Sequence, residues 1–581
     1  VYLRNYKALK NKQMVAKYFS IYKAFVSYII SHKLLFKTTN FLKKSLFVGC
    51  VIGLLGSCEK VPSFDTVLLN GTLYDGTGTP GVQGMIGIKS DSIAYIGPYI
   101  SHKASKSIDA TGKAISPGFI NMLSWGYSSL LKDGRSLSDL KQGVTLEVFG
   151  EGTSAGPSGE KNTADYVSFE QAMKALEKSG VSTNIASYLG ATTVRIQGLG
   201  YDNRAATPEE LKEMEKIVEE AMKGGALGIG SSLIYAPGDY ANTAELIALC
   251  KVAALYKGRY ISHMRNEDNK VMEALEELIS IARESGVPAE IYHLKTSRKA
   301  NWHMLDTVIE RVNEVRAEGL KITANMYPYH ASSTGLTGVI PTWVQDGGHE
   351  AWINRMKDPK IRERLFVDIR KELSEQGPEG ILMVGFDKEE MAKKYLGKTI
   401  AEAAEMRSQS PEETIVDLVI EDNSRIQCIY FSMSEQNIEK KIQIPWMSFC
   451  SDAGSYSDLT EDFRTHPRAF GSFARVLGKY SRDLQLLPLE TAIHKLSGLP
   501  AKNIGIEKRG LLKKGYYADL VIFDPLTIGD KATFEDPLQF AKGVSYVFVN
   551  GQMVIENEQH TGIFPGRFVK GSMGNSSEII Q

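Results

Sequence analysis

Thiols, net charge and long apolar runs are all scarce in this chain, and each scarcity removes a class of protein. Five cysteines in 581 residues, at positions 50, 58, 250, 428 and 450, form no C-x-x-C pair and no even spacing. That excludes a disulfide framework and a thiolate zinc ribbon. Lysine plus arginine equals aspartate plus glutamate at 68 each, so no excess of one sign marks a nucleic-acid or polyanion surface. The apolar run Ser45–Ser57 is too short to cross a bilayer, which takes about 20 residues. The glycine-rich stretch GGALGIGSS has no complete phosphate-binding pattern and reads as a strand with a tight backbone approach. What is present, 43% hydrophobic and 23% charged residues, suffices for a large core and more than one domain, with a small-molecule substrate favoured.

The first 58 residues stand apart. Lys43 and Lys44 precede the apolar run, which closes on Leu55-Gly56-Ser57-Cys58. This resembles a bacterial lipoprotein signal and implies cleavage before Cys58, lipidation of its sulfur, export, and attachment to a membrane through that lipid. The basic stretch before Lys43 is long for such a leader and the chain opens on Val1, which places the expected start of the leader further downstream.

From Asp65 to about Lys113, short alternating segments are separated by Asn-Gly, Asp-Gly and Pro-Gly, the chemistry of β-hairpins. The same texture returns in KKGYYADLVIFDP and VSYVFVNGQMVIENE, so residues 59–115 and 509–581 are expected to form one small β-sandwich domain. Residues 116–508 alternate strand and helix. Candidate strands end near Met122, Phe149, Leu189, Ser232, His263, His293, Tyr329 and Asp452. Thr207-Pro208-Glu209-Glu210 carries a helix N-cap, a proline at the first helical position and a capping glutamate. Eight strands with intervening helices predict an α/β fold of the (β/α)8 TIM-like barrel type. Residues 334–440 are too long for one connection and read as an insertion carrying helices such as 358–376 and 398–406.

The chemistry concentrates at the strand ends, where such barrels build their sites. ISHMRNE and IYHLK each place a histidine directly after a strand-like run, with a helical segment between them. Two imidazoles on neighbouring parallel strands can share one metal ion, which makes His263 and His293 candidate ligands. A divalent metal, zinc above all, lowers the pKa of bound water to about 7 and polarises a carbonyl, the two needs of amide hydrolysis. Asp452, in MSFCSDAGSY, should enter the same mouth and could shuttle a proton, although Ser-Asp-x-Gly is also turn chemistry. His303, His330 and His349 read as rim or loop residues, and His466 as a residue that orients Arg468 or its loop.

TAELIALCKVAALYKGRYISHMRNE, NMYPYHASSTGL, FCSDAG, THPRAFGSFARVLGKY and RGLLKKGYYADLVIFDP resemble the D-aminoacylase (N-acyl-D-amino-acid deacylase) branch of the amidohydrolase superfamily, from about Asp65 to Lys570. The resemblance implies a metal-bearing barrel with a small β domain and activity on N-acyl-D-amino acids. It implies His263 and His293 as metal ligands, Asp452 as catalytic acid/base, and Lys295, Tyr327, Ser333 and Arg468 as holders of the substrate carboxylate. Two departures stand out. Where the superfamily carries Asp-x-His-x-His after Pro-Gly-Phe-Ile, this chain has Leu123 and Trp125 at the histidine positions. Leucine ligates nothing and an indole nitrogen only donates, so one divalent metal ion, zinc by preference, is expected rather than two. The branch's ligand cysteine aligns with Gly152, and the neighbouring Glu151 is the expected third ligand in a His2Glu set. The competing readings are a catalytically impaired binding lipoprotein on the same scaffold, and a peptidase or cyclic-amide hydrolase of the superfamily. The sequence leaves side-chain and acyl preference and oligomeric state open.

Overall fold

Runs such as Val144–Phe149 and Gly228–Ser232 are buried at every residue, as strands covered on both faces must be. The computed structural model describes residues 61–158, 166–459 and 464–572, so Cys58 and the leader-like segment lie outside the described residues. Eight barrel strands follow in chain order: β1 Phe119–Asn121, β2 Val144–Phe149, β3 Asn184–Ser187 continued by Leu189–Gly190, and β4 Gly228–Ser232. They continue as β5 Arg259–His263, β6 Ala289–Ile291, β7 Ile322–Met326 and β8 Met447–Phe449. Each is hydrogen-bonded in parallel to the next. The barrel closes where Met122 N donates to Phe449 O at 3.3 Å and Asp452 N donates to Leu123 O at 2.9 Å.

The helices between strands follow from local chemistry. Helix Pro208–Gly224 opens on a capping box of Thr207 and Glu210 with Pro208 in its first turn, and buries Met214, Val218, Ala221 and Met222. Helix Val271–Ser285, between β5 and β6, buries Leu275, Leu278, Ile279 and Ala282 on one stripe. This is the parallel barrel expected from the alternating pattern.

The two ends of the described chain meet in a nine-stranded sheet. Ser63–Leu73 pairs with Val82–Lys89, while Ala114–Pro117 pairs antiparallel with Leu520–Phe523 in the register Ser116 to Val521. Leu68, Ile86 and Ile115 share a core with Leu520, Ile522 and Phe548. Between β7 and β8, Ser332–Gly335, Gln427–Tyr430 and Ile381–Gly385 form a three-stranded antiparallel sheet with its own core around Trp352, Leu365, Ile369 and Ile415. Helix Glu435–Gln443 returns Ile438 and Ile442 to the barrel core.

Candidate metal centre

Glu151 stands two residues past the end of β2, bracketed by Gly150 at φ 105° and Gly152 at φ 69°. A side chain at Gly152 has no room, because a Cβ there would stand 2.7 Å from the Cβ of Ser232. The position that aligns with the branch's cysteine is thus closed to any ligand, and the adjacent Glu151 is the residue that turns inward. His263 ends β5, and His293 lies two residues beyond β6 with φ 34°, a left-handed conformation that cuts the strand short of it. That backbone is held by the Asn325 side chain, whose Oδ1 accepts from His293 N at 2.9 Å.

These three side chains converge. Glu151 Oε1 lies 2.8 Å from His263 Nδ1 and 3.1 Å from His293 Nε2, and all three residues are buried. One ligand atom from each falls within 4.8 Å of the others. Two imidazole nitrogens and one carboxylate oxygen, with a cavity on the open side, are a donor set suited to a divalent metal ion with a position left for substrate. The electrostatics favour a cation. Burial works against charge on Glu151, yet its hydrogen bonds with His263 and His293 hold it below the usual carboxylate range. Against its own burial, His263 is pushed up to about 9 by the carboxylates of Glu267 and Glu151. A divalent ion that takes the place of the His263 proton meets the same attraction.

Glu267 is the residue that sequence reasoning missed. Its Oε2 lies 3.2 Å from His263 Nε2 and its Oε1 3.1 Å from His293 Nδ1, so it faces the ring nitrogens opposite Glu151. Lys295 Nζ closes the group at 2.7 Å from both Glu267 Oε1 and His293 Nδ1. Glu267 stands four residues after His263 in ISHMRNE, and its carboxylate spacing from the histidine was the available signal. A carboxylate behind the ligand histidines fixes their orientation. Glu267→Gln is expected to weaken metal binding about 10- to 100-fold with the fold intact. Chelator competition checks this, and parental affinity in the variant removes Glu267 from the centre.

The remaining predicted residues border one cavity of about 610 Å³, formed by strand ends and by the inserted sheet. Asp452, at φ 51°, accepts from Trp125 Nε1 at 3.1 Å, and Arg468 Nη1 stands 2.7 Å from its other oxygen. Arg468 Nη2 also donates to Ser333 O at 3.2 Å, so the guanidinium fork is partly engaged by the protein itself. Ser333 Oγ donates to Cys428 O, and Lys295 is committed to Glu267. By contrast, Tyr327 Oη and Arg468 Nε are buried without hydrogen-bond partners among the described residues. Such orphaned donors are costly unless a ligand satisfies them. His466 is buried, accepts from Arg468 N at its Nδ1 (3.0 Å) and meets Ala331 O through Nε2 (2.9 Å), so it fixes the start of the Arg468 helix.

The amidohydrolase family pattern matches residues 452–555. The chain is 32% identical over 517 residues to the D-aminoacylase of Alcaligenes xylosoxydans xylosoxydans, covering 87% of this chain and 97% of that protein. A solved D-aminoacylase, described as having a binuclear metal centre with one-metal activation and second-metal attenuation, superposes with a TM-score of 0.74 at 32% identity, over 87% of this chain and all of that one. The N-acyl-D-glutamate deacylase of Bordetella bronchiseptica, solved with zinc and a phosphonate mimic of the tetrahedral intermediate, gives 0.73 at 28% identity, over 88% and 100%. Fold, site and similarity over nearly the whole length of these relatives meet in one conclusion: the chain belongs to the D-aminoacylase and N-acyl-D-amino-acid deacylase branch of the amidohydrolases.

Proposed function

We propose that this chain hydrolyses the amide bond of N-acyl-D-amino acids with one zinc ion held by Glu151, His263 and His293. The carrying observation is the convergence of those three ligands beside a cavity that also presents Asp452 and the unpartnered donors of Tyr327 and Arg468. When bound, the metal activates water and polarises the scissile carbonyl. Asp452 takes the proton of the attacking water and returns it to the departing amine as the carbon–nitrogen bond breaks, so that water yields one carboxylic acid and one amine. Tyr327 and Arg468 Nε receive the substrate α-carboxylate, with Lys295 and Ser333 bordering the same cavity.

Holding the carboxylate at one point and the carbonyl at another leaves the side chains of the two enantiomers pointing in opposite directions. One hand then fits, and the relatives' substrates make it D. Acetylated D- and L-amino acids assayed side by side test this, with turnover of the D series alone expected. Arg468→Lys should raise KM by about 10- to 100-fold, since a planar multi-donor group becomes a point charge. Equal rates for both hands, or unchanged kinetics in Arg468→Lys, contradict the carboxylate site.

We also propose that the mature chain begins at a lipidated Cys58 and works outside the cytoplasm, on the strength of the leader-like motif ahead of it. Membrane fractionation should recover the parent with membranes and Cys58→Ala free of them. Identical partitioning of the two contradicts the anchor.

A further inference from the structure

Trp125 is a large side chain, 48% exposed at the cavity, yet its place is fixed by backbone. Trp125 N donates to Ala453 O at 2.9 Å, Asp452 N donates to Leu123 O at 2.9 Å, and Ser124 bridges to Ala453. These contacts stitch the chain after β1 to the chain after β8 and set the indole beside the carboxylate. Trp125 Nε1 donates to Asp452 Oδ1 at 3.1 Å, while Arg468 Nη1 stands 2.7 Å from Oδ2. One carboxylate oxygen therefore accepts a hydrogen bond from the indole, and the other faces the guanidinium as an ion pair. Leu123, fully buried in a cluster with Tyr188, Ile261 and Tyr292, offers no ligand on the inner side.

We propose that Trp125 is a positioning residue that holds Asp452 for proton transfer and occupies the carboxylate edge that would otherwise meet a second cation. The proposal rests on the Asp452 role given above. Its consequence concerns metal response: a D-aminoacylase relative has a second metal that attenuates activity, whereas this chain has an indole donor and a buried leucine beside its aspartate. Turnover should then stay level when zinc exceeds one equivalent.

Two variants separate the donor from the ring. Trp125→Phe keeps an aromatic ring and removes the N–H, and should lower kcat about tenfold with KM and zinc content at parental values. Trp125→Gln restores an N–H donor without the ring and should recover most of that loss. A kcat in Trp125→Phe within about twofold of parent overturns the proposal, as does an equal loss in both variants. The contact itself is read without turnover. The indole N–H resonance that disappears in Trp125→Phe should shift in Asp452→Ala, and a resonance that stays in place overturns the proposal even in an enzyme with no deacylase activity. A parent inhibited by a second equivalent of zinc overturns the metal-response half. Absence of activity in a parent whose indole resonance does respond to Asp452→Ala instead counts against the deacylase reading alone.

Discussion

Glu151→Ala is expected to empty the metal centre. Glu151 Oε1 is the atom that His263 Nδ1 and His293 Nε2 both approach, at 2.8 and 3.1 Å, and no other carboxylate among the described residues completes the triad. Glu267 cannot move in to replace it without abandoning Lys295 and the opposite ring nitrogens. Two imidazoles alone hold zinc weakly, so the loss should exceed the roughly 10- to 100-fold cost of removing an outer partner. Zinc content after dialysis checks this, and full occupancy in the variant would identify another third ligand.

Asp452→Asn should keep the metal and lose turnover by about 100- to 10,000-fold, the usual range for a general acid/base. The same change has a second effect. Arg468 is buried and Asp452 is the carboxylate beside it, so an amide there leaves a buried guanidinium without its counter-charge, at a cost of about 3 kcal/mol. A lower Tm with parental zinc content and collapsed kcat is the full expected signature. Near-parental turnover takes Asp452 out of the mechanism.

The barrel was legible in the sequence because its strands are short apolar runs punctuated by capped helices, of which Thr207 to Glu210 is the clearest case. His263 and His293 were legible for the same reason, each following such a run. The strand itself stops at Ile291, because the left-handed backbone of His293 leaves the ladder before the side chain enters the site. Glu151 could be named from sequence, but its reason could not: the φ of Gly152 and the 2.7 Å clash with Ser232 belong to the packed turn. Glu267 escaped because its role depends on where the loop after β5 returns, behind two rings from different strands. The Trp125–Asp452 contact joins residues 327 positions apart through closure of β1 on β8, and no local pattern encodes it. Ser333 illustrates the converse, since its residue type suited a substrate contact while the fold engages its hydroxyl with Cys428 O.

One metal ion held by Glu151, His263 and His293 accounts for the site's chemistry in the proposed reaction. The most direct test adds zinc stepwise to metal-free protein and follows bound zinc and the deacylation of N-acetyl-D-amino acids together. One tightly held ion per chain is expected, with turnover rising to a plateau at the first equivalent. Two tightly held ions, or turnover that appears only with the second, contradict it.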